Sequence, residues 1–147
     1  MSHDHLRWRI VVFALVAIAF MILIPSMADE PGKGDQEWKA PARAARKKNP
    51  IAADDTSIAT GQSVYAKECL SCHGPTGKGD GPAAKNLERP AGDLSSPKLS
   101  EETDGALFWK ITEGRKPMAS FEKTLTEEQR WHVINYVRTL APKGSAK

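Results

Sequence analysis

Both cysteines of this 147-residue chain fall within the stretch Glu68–Gly74, "ECLSCHG", as Cys69 and Cys72, and His73 follows directly. Two thiols with two residues between them and an imidazole alongside suit three chemistries: a redox disulfide, a zinc site, or covalent attachment of haem. A redox Cys-x-x-Cys belongs at a strand-to-helix turn in a βαβ unit, and no convincing strand is legible here. Zinc takes four ligands; past the N-terminal leader only His132 adds a further histidine, and adjacent Cys72 and His73 suit one ion poorly. A structural disulfide would close a tiny, strained loop. The run Cys69-Leu70-Ser71-Cys72-His73 matches the c-type haem attachment pattern Cys-x-x-Cys-His. Thiols about one helical turn apart each form a thioether to one porphyrin vinyl group, and the next residue is placed to ligate iron.

A His73-ligated iron needs a sixth ligand. Of the four methionines, Met1, Met21 and Met27 lie in the leader, which leaves Met118, in the polar stretch "GRKPMASF" just after Pro117. His132 is the rival, but it sits mid-helix beside Trp131 and reads as a surface residue. His/Met ligation raises the reduction potential and leaves no open iron position.

The elements that must position these groups are helical. "DDTSIATGQSVYAKECLSC" sets acidic and hydroxyl residues ahead of the first apolar position, as a helix start should. Gly61, Tyr65 and Cys69 follow at four-residue steps on one face. A glycine inside a helix costs about 1 kcal/mol relative to alanine, so close approach of another helix is expected at Gly61. Residues 74–99 are rich in Gly and Pro and read as loops, with a short helix at 82–87. A second helix is predicted over 104–113, closed by Gly114. The third has Thr126 and Gln129 as a capping box and Val133, Tyr136, Val137 and Leu140 as its apolar stripe, ending at Pro142. The fold class is all-α: three main helices with long Gly/Pro loops around one covalent haem, which supplies the apolar interior that so small a domain lacks.

Outside this domain, Arg7 and Arg9 precede the apolar run Ile10–Ile24, and "PSMADE" follows. The pattern is that of an export signal with Ser26 and Ala28 at the cleavage site, or of an uncleaved anchor a little shorter than a full span. Both send the domain across the membrane. Residues 1–28 are therefore read as signal peptide or anchor, 29–55 as a Pro/Ala/Lys-rich tether, 56–142 as the domain and 143–147 as a tail. In the tether, composition favours a spacer; a sharper reading lays Trp38 and "KNPI" along the domain, with the basic run Lys39, Arg43, Arg46, Lys47 and Lys48 facing a partner or anionic lipid. Residues 58–141 balance 11 basic against 11 acidic residues, so the net charge of +3 sits outside the fold and nucleic acid is not an expected partner. The glycines of "GPTGKGDG" are turns rather than a phosphate loop, because Gly79 stands where Ser or Thr is required. No acid–base pair or nucleophile recommends catalysis. Trp109 is a candidate to touch the haem edge or a propionate, and Trp131 to pack at one end of the last helix.

From Ile58 to Leu140 the chain resembles class I, mitochondrial-type monohaem cytochromes c of bacteria. The resemblance implies that the first and last helices cross through Gly61 and Tyr65 facing Val133 and Tyr136. It also implies that a loop proline, matched by Pro82, offers its carbonyl to the other ring nitrogen of His73. Many bacterial relatives have proline after the axial methionine, where this chain has Ala119. The function expected is electron transfer on haem c, not enzymatic catalysis, between a redox donor and acceptor in a respiratory or dehydrogenase-linked chain. The protein is expected in the periplasm, soluble or held at the membrane by its N-terminal segment. Two alternatives stand beside that reading: an anchored subunit of a larger redox complex, and a ligand-binding or catalytic haem protein with a labile Met118.

Overall fold

A computed structural model describes residues 38–142. Among them run six α-helices: α1 (Ala42–Ala45), α2 (Asp55–Glu68), α3 (Leu70–His73), α4 (Pro97–Glu101), α5 (Asp104–Glu113) and α6 (Glu127–Leu140), with a 3-10 turn at Ala84–Asn86. No strand occurs among the described residues beyond an isolated bridge between Arg115 and Met118. The all-α reading holds. The leader, the first part of the expected tether and the tail (1–37 and 143–147) lie outside the described residues.

Each main helix starts where a side chain satisfies otherwise unpaired backbone donors. Asp54 accepts from Ser57 N at 2.8 Å, and Thr103 accepts from Ala106 N at 3.1 Å. Thr126 and Gln129 form the full reciprocal capping box, at 3.1 and 2.9 Å. Gly114 ends α5 with φ +65°, a conformation that favours glycine. The predicted bounds of α5 and α6 match; the short helix expected over 82–87 is the 3-10 turn alone.

Helices α2 and α6 form the most extensive helix pair. Gly61 allows it: a Cβ there would stand 2.0 Å from the His132 carbonyl oxygen and 2.9 Å from Tyr136 Cβ. The rings of Tyr65 and Tyr136 pack beside this point with centroids 5.1 Å apart. Around the crossing, Val64, Tyr65, Trp131, Val133, Ile134 and Val137 form the buried core. Trp131 packs as expected, stacked on Phe108 at 4.0 Å. Arg138 ties α6 to its neighbours, donating to Asp104 Oδ1 at 2.8 and 2.9 Å and to the Leu99 carbonyl at 2.7 Å.

The described unit begins at Trp38, well before the start near Thr56 read from sequence. Residues 38–54 lie along α5 and α6. Thr103 Oγ1 donates to the Ala45 carbonyl (2.7 Å), and Asn49 Nδ2 donates to Asn135 Oδ1 (2.8 Å). Asn135 in turn donates to the carbonyls of Ile51 and Ala52, both at 3.2 Å. Composition alone could not show this, because these contacts are to residues 58 to 86 positions away.

Candidate functional site

The end of α2 and the single turn of α3 set the spacing of the reactive groups. His73 N bonds the Cys69 carbonyl at 2.9 Å and Cys72 N bonds it at 3.2 Å, so Cys69, Cys72 and His73 sit on one helical turn. The Gly/Pro loop then folds back over that turn. Gly79 N reaches the His73 carbonyl (2.9 Å), Gly81 N that of Cys72 (3.1 Å) and Ala83 N that of Ser71 (2.9 Å). These are the turns expected of the glycines, and they satisfy the carbonyls that a short helix leaves open. The Tyr65 hydroxyl donates to the Gly74 carbonyl at 2.6 Å, fastening the turn to the core.

Met118 comes from the other side of the molecule, on the loop between α5 and α6. Arg115 N donates to the Met118 carbonyl (3.0 Å) and Met118 N to that of Arg115 (2.9 Å), closing a tight turn with a cis Lys116–Pro117 bond. Phe121 N to the Ile111 carbonyl (3.1 Å) and Ser120 Oγ to that of Thr112 (2.6 Å) dock the loop on α5.

Cys69, Cys72, His73 and Met118 line one cavity of about 520 Å³. Its walls are mainly apolar: Leu87 and Leu94 from the loop, Leu99 from α4, Leu107 and Ile111 from α5, Phe121, and Val133, Ile134 and Val137 from α6. The other rival ligand, His132, is not among the lining residues; it is half-buried, with Ser57 Oγ at 2.8 Å from Nδ1 and Glu128 at 3.7 Å from Nε2.

Electrostatics separate the thiol chemistries. Burial, with Glu68 and then Cys72 adding to it, pushes the Cys69 thiol up to about 12. Redox cysteines work as thiolates with depressed values, so this thiol is poorly suited to disulfide exchange. Among the described residues no group of three or more His, Cys, Asp and Glu could hold a metal ion. Burial holds His73 below the usual imidazole range despite its hydrogen bond to a carbonyl. That carbonyl is Gly92, 3.0 Å from Nδ1. A carbonyl only accepts, so Nδ1 carries the proton and the Nε2 lone pair is free to bind a metal.

Two sequence expectations are corrected here. Pro82 is not the partner of His73; the loop between the 3-10 turn and α4 brings the Gly92 carbonyl there instead, and no spacing rule within 74–99 singles it out. Trp109 is not among the cavity's lining residues; Trp38 is, with Trp109 packed behind it at 6.4 Å between centroids. An isolated tryptophan in a charged, apolar-poor segment was the one available signal for Trp38.

Residues 56–137, more than half of the chain, match the family described as cytochrome C oxidase, cbb3-type, subunit III. The chain belongs to this cytochrome c family. A cytochrome c6 of Rippkaea orientalis is 34% identical over 84 residues, covering 54% of this chain and 67% of the relative. A chain of the reducing HAO-like protein complex of Kuenenia stuttgartiensis superposes with a TM-score of 0.56 at 29% identity, over 63% of this chain. The match spans about half, 47%, of that chain. Cytochrome CL of Methylophaga aminisulfidivorans gives a TM-score of 0.46 at 30% identity, over 58% of this chain and 56% of that one. As a bacterial class I monohaem cytochrome c, the protein has a covalently bound haem c with its iron and serves electron transfer. The residues present fit that group: two thiols one turn apart, a neutral imidazole with its proton fixed on Nδ1, a thioether, and apolar walls between them.

Proposed function

We propose that this cytochrome passes single electrons between redox proteins on a haem c bonded to Cys69 and Cys72, with His73 and Met118 as the axial ligands. The observation that carries this reading is the convergence of all four residues, three from the α2–α3 junction and one from the loop between α5 and α6, on one apolar cavity. When bound, haem c supplies the one-electron Fe(III)/Fe(II) couple.

The chain's own residues tune that couple. The bond from His73 Nδ1 to Gly92 fixes the ring's tautomer and orientation. The leucine, isoleucine and valine walls exclude water, which disfavours the more highly charged ferric state. With His73 and Met118 both holding the iron, it would offer no open position to a substrate, which suits a carrier rather than a catalyst.

In this reading the apolar segment 10–24 directs export to the periplasm, as a cleaved signal or as an anchor. No helix among the described residues is long and apolar enough to cross a membrane. A second reading, a subunit of a larger redox complex, is favoured by the oxidase-subunit family description and by the likeness to a chain of a multi-protein complex.

The test is the optical spectrum of protein produced in a host that matures c-type cytochromes. Covalent haem with a low-spin spectrum and a far-red methionine-to-iron band, the band being lost in Met118→Ala, is the expected result. Absence of covalent haem, or a band that survives Met118→Ala, overturns the assignment.

A further inference from the structure

Residues 38–54 lie outside the family match at 56–137, yet they are fixed to the domain at several independent points. Helix α1 rests on the start of α5, where Gly105 makes room: a Cβ there would stand 2.3 Å from the Ala44 carbonyl oxygen. Lys47 Nζ pairs with Glu127 at 2.6 Å and lies 4.4 Å from the centroid of the Phe108 ring. Asn49 donates to Asn135 Oδ1, and Asn135 donates to the Ile51 and Ala52 carbonyls, which leads the chain into α2. A segment held this way is not a spacer.

At the head of this segment Trp38 enters the wall of the cavity that holds Cys69, His73 and Met118. Its ring lies 5.7 Å from Lys110 Nζ and 5.2 Å from the Arg115 guanidinium carbon, and both residues also line the cavity. Cations within about 6 Å of an aromatic centroid are attracted to the ring. The indole therefore covers part of the cavity's edge beside two cationic side chains, of which Lys110 is also paired with the lining Glu102.

We propose that residues 38–53 form a strap that closes the edge of the haem site, with Trp38 as the positioning residue that shields that edge and holds Lys110 and Arg115 against it. The inference rests on the haem assignment above. Its consequence is electrostatic. The ferric state carries one more positive charge than the ferrous state, so water at the edge favours ferric, while an edge kept dry by the indole, with the Arg115 guanidinium beside it, favours ferrous. A closed strap thus raises the reduction potential.

The test uses the full-length holoprotein and the variants Trp38→Ala, Trp38→Phe and Asn49→Ala. The last loosens the strap from α6 without touching the cavity. Two quantities are read: the midpoint potential, and the rate of tryptic cleavage within the basic run 43–48. Trp38→Ala is expected to lower the potential and to speed cleavage about tenfold or more, since cleavage follows the population of the opened segment. Trp38→Phe should restore most of both, and Asn49→Ala should move both in the same direction as Trp38→Ala.

Faster cleavage with a wild-type potential in Trp38→Ala and Asn49→Ala would overturn the proposal, leaving the strap as packing alone. If Trp38→Ala does not accumulate, Asn49→Ala and Trp38→Phe decide by the same two readings. Wild-type protein without covalent haem would overturn the haem assignment and this inference together, and the spectrum distinguishes that case before any potential is measured.

Discussion

Replacing Gly61 by alanine sets two physical effects of opposite sign against each other. Helix propensity alone favours alanine by about 1 kcal/mol. The packing forbids it: the new Cβ would lie 2.0 Å from the His132 carbonyl oxygen, 2.6 Å from its carbon and 2.9 Å from Tyr136 Cβ. Two of these are backbone atoms, which no rotamer change relieves. Carbon contacts settle at about 3.5 Å, so α2 and α6 must separate by roughly 1 to 1.5 Å. Gaps of about 0.5–1 Å already forfeit a quarter to a half of each dispersion contact, and here the losers include Val64, Tyr65, Val133 and Ile134. Overpacking costs about 1–3 kcal/mol and occasionally more; a rigid backbone clash belongs at the top of that range. After the propensity gain, a net loss of about 2 kcal/mol remains, a large part of the ~5–15 kcal/mol that stabilises a domain. Guanidinium unfolding of the holoprotein, followed by Soret absorbance and tryptophan fluorescence, should show the midpoint falling at unchanged slope. A midpoint equal to or above wild type would refute the reasoning, because propensity alone predicts that sign.

Two further outcomes follow from the same geometry. Tyr65→Phe removes the bond to the Gly74 carbonyl and should cost about 1–2 kcal/mol in urea unfolding at neutral pH. Burial, aided by Cys69, Tyr136 and Asp80, pushes the Tyr65 hydroxyl above its ordinary value; above pH ~10 the unfolded chain loses this proton while the folded one keeps it, so wild-type stability falls as pH rises. The gap between wild type and Tyr65→Phe should therefore narrow between neutral pH and about pH 11, and a constant gap would refute the assignment. Pro82→Ala should leave the midpoint potential at its wild-type value, since Gly92 and not Pro82 faces His73 Nδ1; a clear drop in potential would restore Pro82 to that role.

What was legible in the sequence was written locally. The four-residue steps through Gly61, Tyr65 and Cys69, the Thr126/Gln129 pair and the closing Gly114 each encode an element within a few positions, and the structure shows those elements. The spacing of Cys69, Cys72 and His73 likewise belongs to one turn. What was not legible depends on distant partners. His73 finds Gly92 only because the loop folds back through backbone bonds that any residue could make. Helices α1 and α4 have four and five residues, too few for periodicity to register. Trp38 sits in a composition that reads as linker, and its place on the cavity wall depends on Thr103, Glu127 and Asn135 far along the chain.

The same helices that make the core also make the site, and this links folding to the cofactor. Helix α2 contributes Tyr65 to the buried core and ends in Cys69; α6 contributes Val133, Ile134 and Val137 to both core and cavity. A cavity of about 520 Å³ between such walls is too large to leave unfilled. Left empty, its apolar walls would face water, and each Å² of apolar surface kept exposed forgoes about 25 cal/mol of stabilisation. An apolar occupant removes that cost and supplies contacts to α4, α5, α6 and both loops at once. In the proposed assignment, covalent attachment at the α2–α3 junction would place the occupant against the most extensive helix pair in the described structure. The Met118 turn would then have an apolar surface to close upon, so in this reading the occupant that completes the core is also the redox centre.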